Sequence, residues 1–178
     1  MGYPGKSRKR YNRPRTPFQA ERIAQEVELV KTYGLRNKRE LWKVQGILRK
    51  YRHASRNLLA SVAMGKAGPE VEAILNRLKK LGMLKEEGDL DTILSLKVTD
   101  ILERRLQTQV YRQGLANTMR QSRQFIAHGH IRVSGRRVTV PSYLVRRGEE
   151  MTIDYYGGSP MAQEGHPERA SKTPRVEA

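Results

Sequence analysis

The first apolar series in the chain is Ala20, Ile23, Val27 and Val30, whose spacing of three and four residues predicts an amphipathic helix. Ahead of it, Thr16-Pro17-Phe18-Gln19 offers a Thr cap, a proline at the first helical position and a Gln three residues after the cap. Gly34 closes that helix. A longer series follows at Leu41, Val44, Leu48, Tyr51, Ser55, Leu58 and Val62, one face of a helix of about 25 residues. Asn37 is its predicted cap, with Glu40 at the third position. After Gly68-Pro69, Val71, Ile74, Leu75, Leu78 and Leu81 predict a short helix ending at Gly82. Asp89 and Asp91 then read as turn formers and helix caps.

From Asp100, Leu102, Leu106 and Val110 predict one helix stopping at Gly114. Thr118 and Gln121 start another, with Met119, Ser122, Phe125 and Ile126 inward and Gly129 at its end. The period then drops to two at Ile131 and Val133, a Ser134-Gly135 turn, and Val138 and Val140. Pro141-Ser142 bends the chain into Tyr143 and Val145, and a turn follows at Arg146-Arg147-Gly148. Met151, Ile153 and Tyr155 predict a final strand. The fold class is therefore α+β, two helices on a small antiparallel sheet behind a mostly helical region. Four parts are expected: a disordered basic arm over 1–15, a helical region over 16–99, a compact module over 100–156 and a flexible tail over 157–178.

Charge adds a direction to this outline. The 178 residues carry 35 Lys and Arg against 18 Asp and Glu, a formal net charge of +17. Residues 1–56 hold 16 basic and 4 acidic groups, residues 57–99 hold 6 of each, and residues 100–156 hold 10 and 5. Two positive blocks around a neutral one suggest two surfaces for a polyanion, with the neutral block as scaffold. A membrane fits less well, since no apolar run is long enough to span one and no basic face is paired with a bulky apolar one. The first ten residues lack the apolar stretch of a secretory signal.

The absence of cysteine excludes disulfides, thiolate metal sites and Cys nucleophiles. His128 and His130 have no third ligand nearby, Ser122 and Ser134 have no adjacent base and carboxylate, and no phosphate-binding loop or dinucleotide fingerprint occurs. No catalytic site, metal or cofactor is expected. The expected chemistry is RNA binding. In the arm, Lys6, Arg8, Lys9, Arg10, Arg13 and Arg15 interleave with Tyr3 and Tyr11, which can stack on unpaired bases. On the long helix, Arg39, Lys43, Arg49, Lys50, Arg52 and Arg56 lie off the apolar stripe. In the module, every basic residue is Arg, the planar fork that binds phosphate bidentately. Arg104, Arg105, Arg120, Arg123, Arg132, Arg136 and Arg137 are expected at exposed positions there.

Residues 100–145, from DILERRLQTQV to VTVPSYLV, resemble the RNA-binding domain named after small-subunit ribosomal protein four. Its marks are Arg104-Arg105-Leu106, the run His128 to Val133, and the Gly-Arg turn before a strand. YNRPRTPFQAER, YGLRNKRELWKV and LERRLQTQVYRQGLA resemble the archaeal and eukaryotic branch of that ribosomal protein family, and the likeness covers about residues 3–156. It implies a cytoplasmic protein of the small subunit that binds its RNA early, at a junction of several helices, and nucleates assembly of the body. It also implies contact with neighbouring proteins five and twelve, an effect on decoding accuracy, and proximity to incoming messenger RNA. Some bacterial relatives carry a zinc-binding cysteine cluster near the N-terminus, which this chain, without cysteine, cannot form. Two rivals are a nucleolar relative that processes pre-ribosomal RNA, against which the YGLRNKRE block speaks, and an RNA-modifying enzyme, which would need a catalytic domain.

Overall fold

A computed structural model describes residues 11–66, 68–163 and 165–169, and the structural statements below concern these. Helix α1 spans Ala20–Thr32, starting later than the Thr16-Pro17 cap predicts. The reason is Arg22, whose guanidinium donates to the carbonyls of Thr16 at 2.8 Å and Pro17 at 2.9 Å and diverts them from helix amides. Phe18 is left 93% exposed on that turn. Helix α2 spans Lys38–Ala63 and starts as predicted, with the Asn37 side chain accepting the Glu40 amide at 3.2 Å. Leu41, Val44, Leu48, Ser55 and Leu58 are buried along one face. Val62, at the far end, is exposed where the helix outruns the body.

Helix α3 spans Pro69–Lys80, as its apolar spacing predicts. A short helix that the polar turn conceals, α4 over Leu90–Ser95, buries Leu90 and Ile93 against α2. Asp89 is its cap residue, and the Ser55 hydroxyl donates to the Leu90 carbonyl at 2.7 Å, which lets the two helices approach closely. These helices and α5, Val98–Glu103, enclose a first core of Tyr33, Leu41, Leu78, Ile93, Ile101 and Leu102. Each such aliphatic side chain contributes about 1.5–3 kcal/mol by burial.

The single helix expected from Asp100 to Gly114 is two. Helix α5 stops at Glu103, Arg105 is extended, and α6 runs over Leu106–Arg112. The break has a local cause. The Arg104 carbonyl accepts the Val145 amide at 2.9 Å, and the Leu106 amide donates to Tyr143 at 2.8 Å, so a passing segment takes the groups a continuous helix would use. Helix α7, Met119–His128, is capped by Thr118 as predicted and ends at the left-handed Gly129. Helices α6 and α7 cover a second core of Leu106, Val110, Ile126, Ile131, Val145 and Tyr155.

The sheet has order β2-β1-β3 and is antiparallel throughout, with β1 at Ile131–Val133, β2 at Arg136–Arg137 and β3 at Asp154–Tyr155. Ser134 and Gly135 both have positive φ, 49° and 77°, the two-residue turn whose twist matches a tight hairpin. The strands are shorter than the alternation predicts. Val140 is 52% exposed beyond β2, and Met151 is 94% exposed on a 3-10 turn over Glu150–Thr152. Of the expected tail over 157–178, residues 164 and 170–178 lie outside the described residues; in the described part Ser159 and Met161 are buried, and the Arg169 guanidinium sits 5.5 Å from the Tyr155 ring centre. Its signal was too short to show as periodicity.

Candidate nucleic-acid interface

Helix α2 supplies a long positive surface whose one acid is Glu40. Packing of its apolar stripe turns Arg39, Lys43, Arg49, Lys50 and Arg56 outward, and all five are exposed. Arg13 and Arg15 are exposed just before α1 and share a depression with Arg49, so the end of the arm and the middle of α2 meet. Lys6, Arg8, Lys9, Arg10 and Tyr3 lie outside the described residues. Tyr11 is not an unpartnered ring; it lies 6.1 Å from Trp42, centre to centre. Arg52 departs from the group, donating to the Leu96 carbonyl at 2.5 Å and tying α2 to the end of α4.

In the module the structure divides the arginines by task. Arg104 and Arg105 are not at exposed positions. Because the helix breaks between them, Arg105 turns inward, 3% exposed, and meets Glu40 at 3.1 Å. Arg104 pairs with Glu150 at 2.5 Å and donates to the Val145 carbonyl at 3.0 Å. Arg123 is half-buried and reaches the other Glu40 oxygen at 2.6 Å. One carboxylate thus joins α2 to both helices of the module. Burial works to raise the Glu40 pKa, but the hydrogen bond from Arg123 and the charge of Arg105 outweigh it and hold it below the ordinary value.

Arg120 and Arg136 are exposed and project from α7 and the hairpin. Arg132 lies 3.6 Å from Asp154 across the sheet. Arg137 donates to the His128 carbonyl at 2.9 Å and lies over the Tyr156 ring, so its guanidinium is oriented as well as exposed. His130 nearby bonds Ser159 at 2.8 Å. Burial pushes its pKa down, and the charges of His128, Arg137 and His166 push the same way, which marks this corner as positive.

Sequence reasoning passed over Glu40, because a third-position glutamate after Asn37 already has a capping explanation. The available signal was its isolation as the one acid in α2. Among the described residues no group of three or more His, Cys, Asp or Glu could hold a metal ion. No described helix is long and apolar enough to cross a membrane.

The family model described as the S4 domain matches residues 104–151. Over nearly its whole length the chain is similar to proteins named small ribosomal subunit protein uS4. That of Methanococcoides burtonii is 54% identical over 176 residues, covering 97% of this chain and 96% of the relative. That of Halobacterium salinarum is 51% identical over 170 residues, covering 96% and 98%. That of Natronomonas pharaonis is 53% identical over 171 residues, covering 93% and 97%. With identity of this order from one end of the alignment to the other, the chain belongs to the uS4 family of small ribosomal subunit proteins.

Proposed function

We propose that the protein is a structural component of the small ribosomal subunit that binds small-subunit RNA directly and performs no catalysis. The observation that carries this is the outward side of α2, where Arg39, Lys43, Arg49, Lys50 and Arg56 are all exposed and Arg49 meets Arg13 and Arg15. A solvated face would interleave acids at i and i+4, and this one does not. Arg120 and Arg136 add a second positive region on the module, whose rigid helices can select RNA shape while α2 and the arm supply charge. Arg105 and Arg123 hold the two regions together through Glu40, Arg104 is committed within the module and Arg52 ties α2 to the end of α4, so we read these four as structural instead of RNA contacts. In this reading the protein joins the RNA early, nucleates the subunit body in the cytoplasm, and influences decoding with neighbouring proteins five and twelve near incoming messenger RNA.

The test is binding of the full-length protein to naked small-subunit RNA across a salt series, with co-sedimentation on mature subunits. If about six to ten phosphates are neutralised, affinity falls by roughly three to five decades between 50 and 200 mM salt, taking duplex DNA as the guide. A flat salt response, or absence from the subunit fraction, overturns the reading.

A further inference from the structure

Where the end of α3 and residues 144–146 approach the middle of α2, they form a half-open cavity of about 650 Å³. Its floor is apolar and aromatic, built by Ile47, Tyr51 and Leu144. Its rim is Lys50, Arg77, Lys80 and Arg146, all exposed, and no carboxylate lines it. None of the four makes an ion pair among the described residues. A second hollow of about 330 Å³ shares Ile47 and Leu144 with the first and continues along α2 to Lys43 and across to Arg123 of α7. Its one carboxylate, Glu40, is held by Arg105 and Arg123.

The helix dipole explains cations in the last turn of α3, with Glu70 and Glu72 in its first. It does not explain why Lys50 and Arg146 come to the same rim from other parts of the chain. Four gathered positive charges repel one another unless a polyanion sits among them. The floor adds a second requirement, a flat apolar group. A duplex keeps its base faces stacked and would leave the floor empty, whereas an unpaired nucleotide offers a base face and phosphates together. A peptide would need an acid for each rim cation within one cavity.

We infer that this groove receives an unpaired nucleotide of the bound RNA, its base against Tyr51 and Ile47 and its flanking phosphates on Lys50, Arg77, Lys80 and Arg146. This rests on the RNA-binding reading and names the feature of the RNA that the site takes. The cavity size lies within the range of about 300–1,000 Å³ typical of ligand pockets.

The experiment places a photoreactive phenylalanine analogue at position 47 of the full-length protein, bound to naked small-subunit RNA. Irradiation should crosslink it to one unpaired nucleotide, while the same analogue at position 72, on α3, gives none. In parallel, Arg77→Gln, Lys80→Gln and Arg146→Gln combined should lower the salt slope by about 2, at roughly 0.7 per single-strand phosphate contact. Tyr51→Leu, which keeps apolar fill but removes the ring, should weaken binding about tenfold. Melting curves identify any variant that fails to fold, and the triple variant alters only exposed side chains. Crosslinks spread over paired nucleotides, or wild-type affinity and slope in the triple variant, overturn the inference. So does a crosslink in intact subunits to a neighbouring protein and none to RNA. If the wild-type protein itself shows no salt-dependent RNA binding, the functional reading fails first; if it binds and the groove variants match it, only the groove is lost.

Discussion

Glu40 shows how much one side chain can decide. It is the single acid of α2, and its two oxygens are taken by Arg105 and Arg123. Burial pulls the pKa of Arg105 down although Glu40 opposes this, yet a guanidinium stays charged wherever the protein is folded. Removing the carboxylate therefore strands a buried charge. Glu40→Gln should cost about 3–5 kcal/mol at neutral pH, measured by urea unfolding. A loss below about 1 kcal/mol would show that water reaches Arg105 as it does a surface pair. The pH dependence follows from the depressed folded pKa. The unfolded chain takes up the proton first as pH falls, so this stabilisation is complete above the ordinary value of 4.5 and is lost as pH falls through the lower folded value. In Glu40→Gln that part of the acid limb should be missing.

Between elements, the loop joining α1 to α2 is fastened to the module by the Tyr33 hydroxyl, which donates to Glu103 at 2.8 Å, and by one side-chain amide. Gln107 Nε2 donates to the carbonyls of Tyr33 at 3.3 Å, Gly34 at 3.0 Å and Met119 at 2.9 Å. Gly34 has φ +56°, and a Cβ there would lie 2.8 Å from Met119 Cβ. Gly65 has φ +71° with open space around it, which separates the two costs. Gly65→Ala should lose about 1–2 kcal/mol for the left-handed conformation alone. Gly34→Ala should lose about 1–3 kcal/mol more from overpacking, in paired urea titrations. Equal losses would mean that the junction yields without cost. Much of this layer was legible beforehand: the caps at Asn37 and Thr118, the stripe of α2 and the Ser134-Gly135 turn rest on contacts within a few residues. The break at Arg104-Arg105 was not, because the periodicity of Leu102, Leu106 and Val110 is the same whether or not Tyr143 and Val145 arrive to take the backbone groups. Helix α4 escaped notice for a different reason, since six residues are too few to establish a period.

Across the molecule, the positive charge is of two kinds that composition cannot separate. Arg39, Lys43, Arg49 and Arg56 face outward from a helix whose other side is core, so under the proposed function their loss touches binding and not folding. Changing all four to Gln should reduce the salt slope of RNA binding by about 3 to 4 with the melting temperature unchanged. Arg104→Gln with Arg105→Gln should do the opposite, lowering the melting temperature and leaving the slope nearly intact, because these side chains are committed to Glu150 and Glu40. A matching loss of slope from both sets would return the inward pair to the RNA surface. The exposed charges on the sequence map were thus only partly readable: which arginines face water depends on carboxylates that lie far away in the chain.

The stretch shared across the S4 domain family begins at Arg104, yet the counter-charge of Arg105 stands 65 residues upstream, outside it. Homology and mechanical autonomy therefore draw different borders. A fragment covering residues 97–169 contains every strand of the sheet but leaves behind α2, which carries Glu40 and packs on Ile101 and Leu102, and should be less stable than the same region in the whole chain because that apolar surface and Arg105 are uncovered together. A designed helix that covers Ile101 and Leu102 and brings a carboxylate to Arg105 should restore that stability, measured by urea unfolding, and the same helix without the carboxylate should restore less. For anyone transplanting this domain into another protein, the first design decision is what will stand opposite Arg105.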